Sequence, residues 1–576
     1  MLTAAFRARR HADSDSGYAM LMVIASVLIM TIMGAGALVV ATQQQTLSRR
    51  DQDYNGAYQA AQSGVEDYLA RLQANANYWT NGNVDANNPA FTSQTQVPGT
   101  ASGATFQYSI DTSTVLTQGY MTLTSIGRVN GKQRKLTTKL GKQSFLNYMY
   151  FTQYETIDPV AYASAPPANT CDKYAYTTAQ QTTPRVAPAQ GRAYCALINF
   201  IDSDTLKGPV YSQDKINLTG DPTFTDTFKT GWLDPAGVYY NCNSQSACNP
   251  TFSNGRPSFA LIDFPKSNDA LRPYADPSVG GTGCLFQGPT SMVFHAPVSP
   301  ATTGTVTIKS PYTPSGTSTG ACGTHNWGTA SGQTITVPTG QVIWVDANST
   351  SCSSMPVTFP YPVPGDLSSG DNPPKLKPSC ANGDAYVSGW VKGQLTIGTT
   401  NNIFITNQLR YVGSNSSAND SNLATGIPTN TTVGNSGSVV PATDINGTDV
   451  LGLSAANFVQ VYHPLDDTDT SKDDDITTAP YPLTNLLIDA AIVASRDSFL
   501  VSDWDKGPAK GVLSLKGALI QQYRGPVGTS SNGSVVNGYA KNYEYDPRLP
   551  TLNPPHLADL AASSWISVAQ YEGPSN

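Results

Sequence analysis

The chain has 576 residues, so more than one structural unit is expected, because a single core rarely grows beyond about 250–300 residues. Only 13% of the residues are charged and the net charge is −7, which argues against the basic face of a nucleic-acid-binding protein. With 39% hydrophobic residues and 29 tyrosines the chain can build a core, and the composition favours a β-rich extracellular protein over a disordered one.

The N-terminal segment carries the clearest pattern in the sequence. Residues 1–17 are polar and partly basic, and residues 18–41 then contain no charged side chain. As a helix this uncharged segment would span about 36 Å, enough to cross a bilayer and longer than the apolar core of a cleaved signal peptide. We therefore expect a single membrane-spanning helix over residues 18–41 with a cytoplasmic N-terminus and the bulk of the chain outside.

The helical pattern does not stop at residue 41. Apolar or small residues continue at spacings of three, four and seven, which mark one helical face. They are Leu47, Tyr54, Ala57, Ala61, Val65, Tyr68 and Leu72. The sequence predicts one helix over residues 18–75, about 87 Å long, with an apolar first half and an amphipathic second half.

The N-terminal region has a basic leader ending in Gly17, then Tyr18, an apolar run and the amphipathic segment AYQAAQSGVEDYLARL (57–72). Together these features resemble a type IV prepilin. The resemblance implies that a prepilin peptidase cuts between Gly17 and Tyr18, methylates the new N-terminus, and so allows the helix to pack against other pilins. The family's usual glutamate at the fifth mature position is replaced by Met22. Tip-located minor pilins share this departure, so the resemblance implies a tip or priming role.

Two glycines, Gly34 and Gly36, interrupt the apolar half of the predicted helix. Small residues let membrane helices approach closely, so together with Met22 they are the expected helix-packing residues of the filament. A sharper hypothesis is that this segment unwinds when the subunit enters a filament. The alternative for the whole N-terminal segment is a signal anchor on an unrelated surface protein.

Residues 76–144 are predicted to form a small antiparallel β unit that packs on the helix, after a polar loop. Strands are expected at 105–111, 119–129 and 132–140, where polar and apolar residues alternate. Asn130-Gly131 between the last two predicts a tight hairpin.

All eight cysteines fall within residues 145–380, which predicts a disulfide-stapled β-rich region in an oxidising compartment. No Cys-x-x-Cys pair occurs, so the spacing of a zinc ribbon is absent. Eight cysteines allow 105 pairings, and the simplest joins sequence neighbours. The expected pairs are Cys171–Cys195, Cys242–Cys248, Cys284–Cys322 and Cys352–Cys380.

Residues 145–380 and the C-terminal region 381–576 show short strand candidates between Gly, Asn and Asp corners. This pattern favours a right-handed parallel β-helix, with a β-sandwich as the alternative, within an α+β and mainly β protein. Segments 296–350 and 413–447 are rich in Thr, Ser, Gly and Asn and are predicted to be long loops or excursions from the solenoid.

Several strings in this body resemble large pilus-associated surface proteins of actinobacterial type. They are YFTQYETIDP (150–159), GPVYSQD (208–214), DVLGLSAANFVQVYHP (449–464), IDAAIVA (488–494), ALIQQYRGPVG (518–528) and GYAKNYEYDPRL (538–549). That family is poorly characterised, so the resemblance implies an architecture and no reaction.

The sequence offers little catalytic chemistry. The five histidines form no ligand pair, and neither a phosphate-binding loop nor a Gly-x-Ser-x-Gly elbow occurs. The acidic run 466–475 could bind calcium through Asp467, Asp469 and Asp473, but it lacks the EF-hand glycine and glutamate, which favours a solvated loop. We expect no enzyme and no other cofactor.

Together these patterns predict a minor pilin or pseudopilin-like structural subunit of a type IV pilus-like filament. It would display a large β domain at the cell surface, for adhesion to a host or other surface or for assembly priming. The alternative is a signal-anchored surface adhesin or a glycan-active β-helix enzyme, since such solenoids also host glycan-degrading enzymes.

Overall fold

The computed structural model describes residues 16–573 with gaps. The gaps are 76–77, 101–102, 116–119, 143, 162–196, 203, 233–238, 243–247, 261, 298–300, 317–318, 354–378, 413–446, 464–483, 532–533, 551 and 561–564. The chain forms two compact units. The first contains residues 1–111, 122–139 and 569–576, and the second contains residues 112–121 and 140–568.

A single long helix, α1 (Ser16–Ala74), dominates the first unit. It has no proline, and its first half is rich in Leu, Met and Ala, which favour helix. Asp67 pairs with Arg71 one turn later at 2.9 Å, close to the C-terminal end. The predicted helix over 18–75 is confirmed, and it is continuous through Gly34 and Gly36.

The first unit contains most residues of a five-stranded sheet, whose strand order is β1-β2-β3-β4-β30. The strands are β1 (Thr95–Gln96), β2 (Thr105–Asp111), β3 (Tyr120–Val129), β4 (Lys132–Lys142) and β30 (Trp565–Gly573). β2 pairs with β3 in antiparallel register, so the predicted small antiparallel unit is present. The last strand comes from the C-terminal end of the chain, within the region 381–576 that the sequence predicts to be part of the body.

The predicted hairpin between β3 and β4 is present, and its backbone angles explain the choice of residues. Asn130 and Gly131 have φ values of +46° and +77°. A two-residue turn with both φ angles positive matches the twist of the flanking strands, and Asn followed by Gly tolerates it best.

The second unit holds the remaining strands of the described residues and a short helix, α2 (Arg272–Ala275). The strands are β5 (Tyr150–Tyr154), β6 (Asn199–Ile201), β7 (Thr205–Lys207), β8 (Val210–Ser212), β9 (Ile216–Thr219), β10 (Thr223–Phe224), β11 (Phe228–Thr230), β12 (Tyr240–Cys242), β13 (Thr251–Phe252), β14 (Ser258–Phe259), β15 (Cys284–Gln287), β16 (Thr290–His295), β17 (Thr305–Lys309), β18 (Gln333–Thr336), β19 (Gln341–Asp346), β20 (Ala385–Val391), β21 (Gln394–Thr399), β22 (Ile403–Tyr411), β23 (Val450–Ala455), β24 (Val459–Val461), β25 (Leu487–Ala494), β26 (Phe499–Val501), β27 (Ala509–Tyr523), β28 (Gly528–Ser531) and β29 (Ser534–Tyr545).

Most of these strands pair in parallel with strands that are not their immediate neighbours in the chain. One stack runs in the order β15, β19, β21, β23, β25, β27, β5, β8, β11 and β14. A second runs through β16, β20, β22, β24 and β26, and a third through β27, β29, β7, β10 and β13. Stacked parallel pairs differ from the antiparallel sheets of a β-sandwich.

The first stack consists of two series of strands, one on each side of β27. Strands β5 to β14 extend from β27 in one direction, whereas β15 to β25 approach β27 from the other end. The two parts meet where Leu519 of β27 pairs with Tyr150 of β5. The first stack continues across residue 380, because β19 pairs directly with β21.

Alternate residues of the stacked strands face two different cores. Ile343 and Val345 of β19 belong to the inner cluster, while Val342 and Trp344 belong to an outer cluster. The segments 262–275 and 549–558 supply the other side of that outer cluster. Both faces of the strands are therefore buried, as in parallel sheets generally.

Of the two alternatives predicted for residues 296–350, a long loop or an excursion from the solenoid, the long loop is wrong. β17 pairs antiparallel with β16 on one side and with β18 on the other, and β19 belongs to the first stack. The Thr-rich composition that suggested a loop is compatible with strands, because threonine is β-branched. Segment 413–447 lies almost entirely outside the described residues.

Three disulfides join Cys242 to Cys248, Cys284 to Cys322, and Cys352 to Cys380. These are three of the four neighbour pairs predicted from the sequence. The fourth, Cys171 with Cys195, lies outside the described residues.

Candidate functional site

The first half of α1 is apolar and exposed along its length. Its most apolar 18-residue window has a mean hydropathy of 2.5, and none of that window is buried. The exposed large apolar side chains are Tyr18, Met20, Leu21, Met22, Val23, Ile24, Val27, Leu28, Ile29, Met30, Ile32, Met33, Leu38, Val39 and Val40. In the part of the chain that the structure describes, this is the one helix long and apolar enough to cross a membrane.

The few hydroxyls in this segment are satisfied within the helix. The Ser26 hydroxyl donates to the Val23 carbonyl at 2.9 Å, and the Thr31 hydroxyl donates to the Val27 carbonyl at 2.9 Å. Because these side chains need no outside partner, the helix can enter apolar surroundings at little polar cost.

Tyr18, Met22, Gly34 and Gly36, which the sequence predicts to act in cleavage or helix packing, lie on open surface. Tyr18 is 76% exposed and Met22 73% exposed. A Cβ added at Gly34 or Gly36 would meet no atom within 4 Å. Ser16 and Gly17 lie in the first turn of α1, and residues 1–15 of the leader lie outside the described residues. The proposed unwinding of the glycine segment concerns an assembled state and stays a prediction.

The second half of α1 packs closely on the small sheet through small residues. A Cβ on Gly127 of β3 would overlap the Ala57 carbonyl oxygen and the Ala61 amide nitrogen of the helix. The Ser125 hydroxyl donates to the Ala61 carbonyl at 2.7 Å, which joins strand and helix directly. Ala57 and Ala61 are fully buried, so the small residues noted in the sequence form the contact face.

A polar and aromatic cluster stabilises the same contact further along the helix. Tyr68 is fully buried and its ring lies 5.5 Å from that of Tyr108, in an edge arrangement. The Tyr108 hydroxyl donates to the Asp67 carboxylate at 2.6 Å, and Asn88 donates to the Tyr108 hydroxyl at 2.7 Å. Burial, and then the hydrogen bond to Asp67, raise the pKa of Tyr108, so it remains a donor at neutral pH. Sequence reasoning missed Asn88 because loop residues carry no periodic signal.

The body contains a buried ion pair where the two parts of the first stack meet. Arg524 donates to the Glu155 carboxylate at 3.2 Å and to the Ile198 carbonyl at 3.0 Å. The Arg524 guanidinium also lies 3.6 Å from the centre of the Phe200 ring. Side-chain exposure is 2% for Arg524 and 0% for Glu155, so each charge depends on the other.

A row of alternating charges crosses five neighbouring parallel strands of the body. Arg410 lies 4.0 Å from Asp489, which is in register with Lys516. Lys516 pairs with Glu544 at 3.0 Å, and Glu544 is in register with Lys207. Each charge therefore has an opposite charge as its neighbour along the stack, which favours this register.

The metal-site candidates from the sequence, Asp467, Asp469 and Asp473, lie outside the described residues. Within the described ranges no group of three or more His, Cys, Asp or Glu side chains is placed to hold a metal ion. The histidines that the structure describes lie in separate places: His295 bonds Thr307, for example, and His556 stacks on Tyr274.

Comparison with known proteins gives little further information. No protein-family model matches the chain, and no curated protein matches it. Among solved structures, the competence-associated pilin ComZ from Thermus thermophilus matches with 12% sequence identity, over 90% of this chain and 97% of that chain. The TM-score of 0.29 does not establish a shared fold.

Proposed function

We propose that this protein is a minor-pilin-like structural subunit of a type IV pilus-like filament. The supporting observation is that α1 has two halves with opposite environments. Its first half is apolar and exposed, and its second half is packed on a small antiparallel sheet. A helix of this kind needs an apolar partner for the first half only, first the membrane and then the helices of other pilins.

In this proposal a prepilin peptidase removes the leader after Gly17, and Tyr18 becomes the methylated N-terminus. Met22 cannot neutralise the N-terminal amine of a neighbouring subunit as a carboxylate would, which favours the filament tip, where no further subunit follows. The disulfides of the body agree with an extracellular position outside the cytoplasmic membrane.

The second unit is proposed to be a right-handed parallel β-helix that the filament displays for adhesion or assembly priming. The stacks of parallel strands support this architecture. The chain leaves the small sheet after β4 and returns to it as β30, so the body is an insertion within the pilin-like unit. Many of its described charged side chains form ion pairs, such as Lys392–Asp449 at 3.1 Å, as a structural role would require.

Sequencing of the mature N-terminus tests the proposal in cells that carry the full chain. We expect the protein from sheared surface filaments to begin with a methylated Tyr18. A Gly17→Val variant should keep the leader and stay in the membrane fraction, whereas a Gly34→Ala variant should be cut normally. An intact Met1 on surface protein, or a cut near Ala41, would instead support the signal-anchored surface protein or enzyme.

A further inference from the structure

The two parts of the body are joined by a lysine and an aspartate that lie far apart in sequence. β29 pairs in parallel with β7, with Asn542 opposite Thr205. Lys541 and Asp204 immediately precede these two residues. The Lys541 Nζ atom lies 3.3 Å from the Asp204 Oδ2 atom, and the side chains are 19% and 4% exposed.

The surroundings of this pair are apolar and aromatic. The adjoining pocket is lined by Tyr150, Phe200, Leu206, Phe499, Leu519 and Tyr543, together with the guanidinium of Arg524. Burial lowers the pKa of Lys541, the nearby Asp204 carboxylate opposes this, and the Arg524 charge lowers it further. A larger fraction of neutral amine results, and the neutral amine is the nucleophilic form of lysine.

The carboxylate is held in place from the other side. The Ile201 amide donates to Asp204 Oδ2 at 3.1 Å, and the Asp204 amide donates to the Ile201 carbonyl at 2.9 Å. Separations of about 3–3.5 Å between positioned groups are those of reacting pairs, and fixed geometry can replace much of the entropy cost of a reaction.

We propose that Lys541 and Asp204 form an intramolecular isopeptide bond. The Nζ atom attacks the Asp204 Cγ atom, a C–N bond forms and one C–O bond breaks. The two protons that the ammonium group loses leave with that oxygen as one water molecule, so the step needs no oxidant, reductant or other reactant. A cavity of about 230 Å³ lined by Asp204, Lys541 and Trp504 adjoins the pair and gives the water an exit.

Such a bond would connect residues 337 positions apart in the chain. It would fix β7 to β29, where the two separately wound parts of the body meet. Tension applied through the ends of the body could then not separate these parts by breaking hydrogen bonds alone. The bond would link β7 and β29 covalently, whereas without it these neighbouring strands are held together only by non-covalent contacts.

Mass spectrometry of the full chain, reduced and denatured, tests this proposal. We expect a mass lower by one water than the mass calculated for the chain with its actual N-terminus, and a digest in which the peptides of Asp204 and Lys541 are joined and trypsin does not cut after Lys541. An Asp204→Asn variant should lose ammonia instead of water. A Lys541→Arg variant should show the full mass.

The Lys516–Glu544 pair, 3.0 Å apart but with the Glu544 side chain 29% exposed, provides the matched control. A Lys516→Arg variant should keep the mass deficit and the joined peptides. Separate peptides for Asp204 and Lys541 in the folded wild-type chain would overturn the proposal and leave an ordinary buried ion pair. A deficit that persists in Lys541→Arg would equally overturn it, because the bond would then lie elsewhere.

Discussion

Asp489 of β25 and Lys516 of β27 lie side by side in parallel register, and Asp489 is 2% exposed. This contact is the centre of the charge row that runs from Arg410 to Lys207. A shift of either strand by one residue would move Lys516 to the opposite face and leave Asp489 without this neighbour. The row thus favours one register between the neighbouring parallel strands.

Reversing the central charge should therefore destabilise the body. A Lys516→Glu variant places a third carboxylate between Asp489 and Glu544, and we expect the free energy of unfolding to fall by about 2–4 kcal/mol. Denaturant unfolding measured by tryptophan fluorescence checks this. The control is Lys266→Glu, at an exposed position of the same unit, which should change stability by less than about 0.5 kcal/mol. Equal losses in both variants would contradict a specific role for the row.

The contact between α1 and the small sheet should not tolerate a methyl group at Gly127. A Gly127→Ala change would overlap backbone atoms of Ala57 and Ala61, so helix and strand must separate. We expect a loss of about 1–3 kcal/mol and faster hydrogen exchange in residues 57–64 of the full chain in detergent. A Gly573→Ala change meets only ordinary contacts with Lys135 and should leave both quantities unchanged. Unaltered exchange in the Gly127 variant would show that the helix does not pack here.

The disulfides should differ in their contribution to stability. Cys284 and Cys322 are 38 residues apart, whereas Cys242 and Cys248 are six apart. On the chain-entropy account, replacing both cysteines of a pair with serine should cost about 4 kcal/mol for the longer loop and about 2 kcal/mol for the shorter one. Thermal unfolding of the two double variants gives the comparison. The reverse order would indicate that native contacts, not loop closure, decide the effect.

Asp384 should make the body less stable as the pH rises. The side chain is fully buried, and burial raises its pKa from 3.8 to about 7, although Asn401 and Asn402 donate to one carboxylate oxygen. The Asp384 carboxyl therefore loses its proton at a lower pH in the unfolded state than in the folded state. The free energy of unfolding falls between about pH 4 and pH 7, by at most about 1.4 kcal/mol for each unit of pKa difference.

An Asp384→Asn variant removes this titration. Its melting temperature relative to wild type should rise steadily from pH 4 to pH 7 and then remain level, as thermal scans across that range would show. Asp269→Asn, at an exposed position, serves as the control and should follow the wild type throughout. A constant difference between Asp384→Asn and wild type across the range would mean that the Asp384 carboxyl titrates normally.

Local patterns in the sequence predicted local structure well. The apolar run and its amphipathic continuation specified α1, Asn130-Gly131 specified a hairpin, and three disulfides join sequence neighbours. Each of these features depends on residues close together in the chain, where spacing and turn chemistry act directly.

The contacts that organise the body could not be predicted in the same way. Arg524 and Glu155 are separated by 369 residues, and the return of β30 to the small sheet joins opposite ends of the chain. Parallel pairing between distant strands leaves no periodic signal that identifies the partner. Nothing in the sequence pairs Arg524 with Glu155, and only the fold brings them together.

Photo-crosslinking from the apolar half of α1 tests the central claim most directly. A photoreactive residue at Ile24, which is 53% exposed, should capture a second pilin-type subunit in sheared filaments from intact cells. The same residue at Val84, which is 86% exposed but lies away from the helix, should not capture it. If the Ile24 position captures only lipid, and the protein stays in the membrane when filaments are sheared, α1 is an anchor and not an assembly helix.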